Sequence, residues 1–218
     1  MKQSSKHVFW QALIIALIIF WSGILIGMFF ENSRIEKLED FYFGAETDIS
    51  DFELSSEILY GDEDNCDTIK EYSILLADKI YVEALKLEKY DNSNKITKDL
   101  ITLHKRYDLL RTLLWKKIIE NKETCKSSLD TVVYLYKYDN PDLNTKAIQE
   151  TMSNFLIDLK KKKGNEIILI PIAMDTELIS LNSLIEKFEI SQFPAVIINE
   201  EHIISDLDSM EDLETYLK

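Results

Sequence analysis

The chain has 218 residues and a formal net charge of −14, from 39 acidic and 25 basic side chains. This length is enough for one domain, or two small ones, in addition to a membrane anchor. Because such an acidic chain repels phosphate groups, the composition excludes nucleic acid as a partner.

The first predicted element is a membrane-spanning helix over residues 8–30, after a cytoplasmic tail of residues 1–7. No charged residue interrupts this run, which as a helix covers roughly 34 Å, enough to cross a bilayer core of about 30 Å. The alternatives are a buried core helix, which is rarely so long and so uniformly apolar, and a cleaved signal peptide, which has a shorter apolar region. The run therefore predicts one anchor in the lipid bilayer.

Charges beside this helix predict its orientation. Lys2 and Lys6 lie in the short tail before it, which predicts that the N-terminus is cytoplasmic and the rest extracytoplasmic. The expected protein crosses the cell membrane once. Gly23 and Gly27 form a G-x-x-x-G pair, which alone is a weak motif and is typical of ordinary membrane glycines; the alternative is a homodimer through close helix packing.

An acidic linker with short helical pieces is predicted over residues 31–65, followed by an antiparallel helical hairpin over residues 66–125. The two hairpin helices are expected at about 67–90 and 94–121. Their apolar residues recur at the three- and four-residue spacing that is typical of a coiled-coil seam. Between the two helices, Asp91, Asn92, Ser93 and Asn94 are expected to supply the turn and a cap for the second helix.

The only two cysteines, Cys66 and Cys125, lie just before the first helix and just after the second. The hairpin would bring them together at its open end. Outside the cytoplasm they can oxidise, and closing a loop of about 60 residues stabilises a fold by about 4 kcal/mol. We expect a structural disulfide; a redox-active pair, which usually lies close in sequence, and two unpaired thiols are the alternatives.

Residues 126–218 alternate strands and helices in the order β-α-β-α-β-β-α. The whole chain is thus expected to be α+β, with a C-terminal domain of the α/β class. The first strand–helix–strand unit predicts a right-handed parallel crossover. Strands are expected at 131–138, 166–173, 195–199 and 203–204, and helices at 145–163, 181–188 and 210–217. The second strand is almost wholly apolar, which is typical of a strand covered on both faces.

This order, with a proline at the start of the third strand, resembles the thioredoxin fold. The resemblance covers residues 131–217, and its most specific part is the sequence ISQFPAVIINEEHIIS. It implies that Pro194 follows a cis peptide bond, a feature of tight turns. It also implies that Phe193, Pro194 and Ala195 form a binding surface beside the active-site loop.

That loop departs from the family. Redox-active relatives carry W-C-x-x-C after the first strand, whereas this chain has Tyr138, Asp139, Asn140, Pro141 and Asp142. Asp139 and Asp142 stand at the two cysteine positions, and a carboxylate cannot attack or form a disulfide, so dithiol exchange at this loop is excluded. We expect a turn in which Asp142 or Asn144 caps the next helix. The alternative is a carboxylate site for a cation or a basic partner.

These observations predict a membrane-anchored, redox-inactive thioredoxin-like module that binds an unidentified protein or peptide. Extended segments bind beside the cis proline in many relatives, through main-chain hydrogen bonds. We expect no catalytic residue and no cofactor, and the cysteines and histidines have no metal-ligand spacing. Two alternatives remain: a thiol–disulfide oxidoreductase that uses Cys66 and Cys125, and a membrane scaffold that acts through the hairpin.

Overall fold

The computed structural model describes residues 5–58, 65–91, 98–125, 129–139, 141–206 and 213–217. They belong to two compact units, Met1–Asp40 and Phe41–Lys218. In chain order the elements are α1 (Ser5–Ile58), α2 (Cys66–Asp91), α3 (Lys98–Cys125), β1 (Asp130–Tyr136), α4 (Leu143–Lys163), a short 3₁₀ turn (Gly164–Glu166), β2 (Ile167–Ala173), α5 (Ile179–Lys187), β3 (Ala195–Ile198) and β4 (His202–Ile204). The chain is therefore a mixed α+β protein, as expected.

The first unit contains the apolar part of α1. Residues Val8–Phe30 are long and apolar enough to cross a membrane, and none of the run is buried. A Cβ atom added at Gly23 or Gly27 would meet nothing within 4 Å. This part of the helix therefore has the length and surface of the predicted anchor, while the homodimer and the orientation stay predictions. Lys2 lies outside the described residues.

The structure differs from the predicted linker over residues 31–65, because α1 continues as a helix to Ile58. Its buried side chains Tyr42, Ala45, Ile49 and Phe52 recur every three or four residues and so form one apolar face. This face packs against other helices of the second unit, and that packing stabilises residues 42–52 as a helix. Residues 59–64 lie outside the described part of the chain.

The predicted hairpin and its disulfide are confirmed. Cys66 at the start of α2 is bonded to Cys125 at the end of α3, with their Cα atoms 5.5 Å apart, so the two helices are antiparallel. Both helices end later than expected. Of the residues predicted to form the turn and the cap, Asn92, Ser93 and Asn94 lie outside the described residues. Leu76 and Ile80 of α2 and Leu110 and Leu114 of α3 are among the buried seam residues.

The part of α1 that belongs to the second unit, residues 41–58, lies against both hairpin helices. Tyr42 makes an edge-to-face contact with Tyr107 of α3, with ring centroids 6.0 Å apart. Further along, Glu53 pairs with Lys117 of α3 at 3.0 Å, so α1 and α3 run in the same direction. An ion pair between Asp48 and Lys79 joins α1 to α2. Residues 41–58 are therefore the third helix of a bundle.

The four strands form one mixed sheet in the order β2-β1-β3-β4. Strands β1 and β2 are parallel, with Asp130 opposite Ile167 and Tyr136 opposite Ala173, so the predicted parallel crossover through α4 is confirmed. Strand β3 is antiparallel to β1, with Ala195 opposite Leu135, and β4 is antiparallel to β3. Residues 213 and 214 are the described helical part of the predicted last helix.

Both faces of the sheet are covered, as the apolar second strand predicts. One face packs on α4, and its cluster contains Val132, Tyr134, Met152, Leu156, Leu159, Ile167, Leu169, Val196, Ile198 and Leu213. The alternate strand residues, such as Val133 and Ile170, are also buried, and α3 contacts both β2 and α5. The hairpin and the sheet thus belong to one compact unit.

Candidate functional site

The carboxyl ends of β1 and β2 lie at the same edge of the sheet, where Tyr136 is paired with Ala173. Because Ala195 pairs with Leu135, the residue before it, Pro194, lies at this edge as well. Open α/β sheets bind ligands outside the carboxyl ends of their parallel strands. We call residues 137–139, 141–143, 174–179 and 193–194 the carboxyl edge.

Asp175 holds the loop that follows β1. Its two carboxylate oxygens accept hydrogen bonds from the backbone N–H groups of Tyr138, at 2.9 Å, and of Asp139, at 2.8 Å. The ring of His104, which is buried on α3, stacks on the ring of Tyr138 with centroids 4.0 Å apart. The loop is therefore fixed to the segment after β2 and to the helical hairpin.

Gln149 of α4 holds the same loop from another side. Its Oε1 accepts a hydrogen bond from the backbone N–H of Lys137 at 3.2 Å, and its Nε2 donates to the backbone oxygen of Lys137 at 2.9 Å. The backbone oxygen of Gln149 accepts from the Tyr134 hydroxyl at 3.1 Å. The backbone of the loop is thus bound by a side chain of α4 and by a side chain of the segment after β2. These hydrogen bonds preorganise the loop.

Of the two residues predicted to cap α4, Asp142 and Asn144, it is Asp142 that forms the cap. Its Oδ1 accepts from the backbone N–H groups of Asn144 and Thr145, both at 3.1 Å, and its Oδ2 accepts from the Thr145 hydroxyl at 2.6 Å. The hydrogen bonds from Thr145 lower the pKa of this carboxyl group. Of its neighbours, Pro141 is half-buried and Asn140 lies outside the described residues.

The Phe193–Pro194 peptide bond is cis, as the resemblance implied. Of the three residues predicted to form a binding surface, Pro194 and Ala195 are buried, and Phe193 is partly exposed. The side chain that this segment offers to a partner is therefore that of Phe193.

Two strongly exposed apolar residues were not predicted. Leu143 is 87% exposed and Ile179 is 85% exposed. They are the first residues of α4 and α5, the helices that follow the carboxyl ends of β1 and β2. An apolar residue at the first position of a helix, beside a polar turn, is the sequence signal that would have found them.

A buried ion pair, also not predicted, lies behind the carboxyl edge. The side chain of Asp108 on α3 is fully buried and accepts from Arg111 at 3.0 Å and from the backbone N–H of Ala173 at 3.2 Å. Burial raises the pKa of the Asp108 carboxyl group, and the charge of Arg111 opposes this rise. This pair connects the hairpin to the end of β2.

The disulfide lies at the other end of β1. Cys125 ends α3, a few residues before β1 begins at Asp130, and the 7 residues of the strand separate its two ends by roughly 20 Å. Neither cysteine is free. The carboxyl edge therefore has no thiol.

The geometry of the carboxyl edge suits binding. Its described residues include a fixed loop, the partly exposed aromatic side chain of Phe193 and two exposed apolar side chains. Among the described residues no group of three or more His, Cys, Asp or Glu side chains is arranged to hold a metal ion. No family model, curated protein or solved structure matches the chain.

Proposed function

We propose that this chain is a membrane-anchored, redox-inactive thioredoxin-like module that binds an extended segment of another protein at its carboxyl edge. The observation that carries the proposal is the loop after β1. By the resemblance to the thioredoxin fold, it corresponds to the loop that carries two cysteines in redox-active thioredoxin-like proteins, yet it contains Asp139 and Asp142. Asp175 and Gln149 hold its backbone in place. The strand order β2-β1-β3-β4 and the proline before β3 support the resemblance.

A fixed loop favours binding because little conformational freedom remains to be lost when a partner docks. Leu143, which follows that loop, and Ile179, which follows the segment that holds it, add exposed apolar side chains. Burying one such side chain stabilises a contact by about 1.5–3 kcal/mol, and exposed apolar groups with a polar surround mark interaction sites. A partner segment that crosses the edge would cover both.

The location is part of the proposal. The apolar helix over Val8–Phe30 supports a single anchor in the cell membrane, and the basic residues before it support a cytoplasmic N-terminus. The disulfide between Cys66 and Cys125 supports an extracytoplasmic position for the second unit, because disulfides persist in oxidising compartments.

Site-specific photocrosslinking tests the proposal. A benzophenone amino acid replaces Leu143 or Ile179 in the full-length chain, in membranes of its own host. A matched control places the same group at Ile203, which is 42% exposed on the edge strand β4. We expect discrete adducts from the first two positions and none from Ile203. Equal adducts from all three positions, or none from the carboxyl edge, would contradict binding there.

A further inference from the structure

A cleft of about 720 Å³ lies between the C-terminal parts of α1 and α3, within the second unit. We call it the α1–α3 cleft. Its volume falls within the range of roughly 300–1,000 Å³ that is typical of small-molecule sites. Every side chain that lines it is polar or charged, which favours a hydrophilic ligand over an apolar one. These side chains are Glu53, Ser56, Glu57, Lys116, Lys117, Glu120, Asn121 and Thr124.

Four of the charged side chains neutralise one another. The Nζ atom of Lys117, a residue that is 7% exposed, lies 3.0 Å from a carboxylate oxygen of Glu53 and 3.2 Å from one of Glu120. Lys116 lies 2.6 Å from the other carboxylate oxygen of Glu120. The hydrogen bond from Lys116 lowers the pKa of Glu120, so this carboxylate stays ionised. These two lysines and two glutamates form one network without net charge.

Other polar groups of the cleft have unused hydrogen-bonding capacity. Ser56 is 6% exposed, yet its hydroxyl group has no hydrogen-bond partner in the described part of the chain, and neither has the amide nitrogen of Asn121. Because buried polar groups are nearly always paired, these two groups indicate a site at which a ligand supplies the partners. Glu57 is exposed beside them and forms no ion pair with a described residue.

The cleft has a negative charge. Three glutamates and two lysines line it, so its formal charge is −1. Ser56 and Glu57 lie in the last turn of α1, and this turn contains no basic residue. Because the carboxyl end of a helix carries partial negative charge, it favours a cation. One ammonium group would balance the charge of the cleft and would bind the carboxylate of Glu57 in a charge-assisted hydrogen bond.

We propose that the α1–α3 cleft binds an amino sugar, whose ammonium group pairs with Glu57 and whose hydroxyl groups bind Ser56 and Asn121. The cleft is large enough for a sugar ring, and a sugar offers hydroxyl groups that both donate and accept hydrogen bonds. The cleft shares no residue with the carboxyl edge, so the inference does not depend on the function proposed there.

Two other cations fit the cleft less well. A metal ion would need carboxylate ligands, but the lysines already occupy the carboxylates of Glu53 and Glu120. A lysine side chain of a partner protein would bring a stem of four methylene groups, which packs along apolar surface, and the lining of the cleft offers no apolar side chain.

Isothermal titration calorimetry of the detergent-solubilised full-length chain tests the inference. The probe is glucosamine, at a pH at which its amine is protonated. Two matched controls lack the charge: glucose has a hydroxyl group in place of the amine, and N-acetylglucosamine has an acetylated amine. We expect glucosamine to bind at least tenfold more tightly than either control.

Three variants locate the binding. Glu57→Gln removes the unpaired charge, and we expect at least a tenfold weaker Kd for glucosamine. Ser56→Ala removes a hydroxyl group without a partner, so it should weaken binding without lowering the melting temperature. The matched control is Asp51→Asn, which removes an exposed charge of α1 outside the cleft, and it should bind as the parent does.

Four results would overturn the inference. The first is the absence of saturable binding of glucosamine. The second is equally tight binding of glucose or N-acetylglucosamine, because the ammonium group would then not be recognised. An equal loss in Asp51→Asn and Glu57→Gln would assign the effect to the surface charge of α1. Tighter binding of Nα-acetyllysine amide than of glucosamine would assign the cleft to a lysine of a partner protein.

Discussion

The carboxylate of Asp108 and the guanidinium of Arg111 meet at 3.0 Å inside the protein, and the same carboxylate oxygen accepts from the backbone N–H of Ala173. Because the next residue, Met174, donates to the backbone oxygen of Tyr136 in β1, the N–H of Ala173 points away from β1. It lies on the outer edge of β2, which α3 covers. This contact satisfies a backbone group at an otherwise open sheet edge.

The first prediction concerns this pair. Asp108→Ala leaves the buried Arg111 charge and the Ala173 N–H without their acceptor, and we expect it to lower the free energy of unfolding by about 3–5 kcal/mol. Asp108→Leu with Arg111→Met removes both charges, so it should regain most of the loss, leaving mainly the unmade Ala173 hydrogen bond, about 1–3 kcal/mol. Urea unfolding of the full-length chain in detergent measures both. If the single and the double variant lose the same free energy of unfolding, the stability does not depend on the pairing of Asp108 with Arg111.

The second prediction concerns Glu200, in the turn between β3 and β4. Its carboxylate accepts from the indole N–H of Trp115 at 3.0 Å and pairs with Lys122 at 3.1 Å, and Trp115 is fully buried. Glu200→Ala leaves the indole N–H unsatisfied, and we expect a loss of about 1–3 kcal/mol in the free energy of unfolding. Glu201→Ala, at the exposed next position, should change it by less than about 0.5 kcal/mol. A loss of similar size at both positions would assign the effect to the turn backbone.

The third prediction concerns the disulfide. Protein purified without reductant should contain no thiol that reacts with an alkylating reagent. Because the bond joins residues 59 positions apart, the Cys66→Ser, Cys125→Ser variant should lose about 4 kcal/mol of stability, and its melting temperature should match that of the reduced parent. Neither form should reduce insulin. Insulin reduction by the parent that the variant lacks would favour the oxidoreductase alternative over a structural bond.

The strands and the hairpin were predictable because their signals are local. The run TVVYLYKY overlaps β1 and the run EIILIPIA overlaps β2, and the spacing of Leu103, Leu110 and Leu114 matches a buried helix face. The disulfide followed from the position of its cysteines at the ends of that hairpin. Each of these features depends on residues that are close in sequence or on the geometry of one motif.

The features that were not predicted depend on contacts between residues that are distant in sequence. Asp175 reaches a loop 36 residues before it, and Trp115 reaches Glu200 across 85 residues, so no local pattern marks them. The C-terminal part of α1 did have a local signal, because the buried apolar residues from Tyr42 to Phe52 recur every three or four residues. The exposed residues Phe43 and Leu54 obscured it, because apolar side chains on two faces weaken the periodicity that indicates an amphipathic helix.

The fourth prediction concerns the cap of α4. The pKa of Asp142 is lowered below its ordinary value of 3.8 by the hydrogen bonds of Thr145, so the ionised form stabilises the folded state. This contribution is complete above that ordinary value and is lost as the pH falls through the lower, folded-state pKa. Asp142→Ala should therefore lower the melting temperature at pH 7, and the difference should shrink in acid. Asp142→Asn keeps a capping oxygen without a titrating charge, so its melting temperature should depend less on pH than that of the parent.

The last prediction is topological. Asp206 is an exposed residue of the second unit, and the basic tail predicts that this unit is extracytoplasmic. In the Cys66→Ser, Cys125→Ser background, Asp206→Cys should be labelled in intact cells by a membrane-impermeant maleimide. Ser5→Cys, on the other side of the apolar run, is the matched control and should be labelled only after lysis. If the two positions exchange this behaviour, the orientation is reversed and the carboxyl edge faces the cytoplasm; labelling of both in intact cells would contradict a membrane-spanning helix.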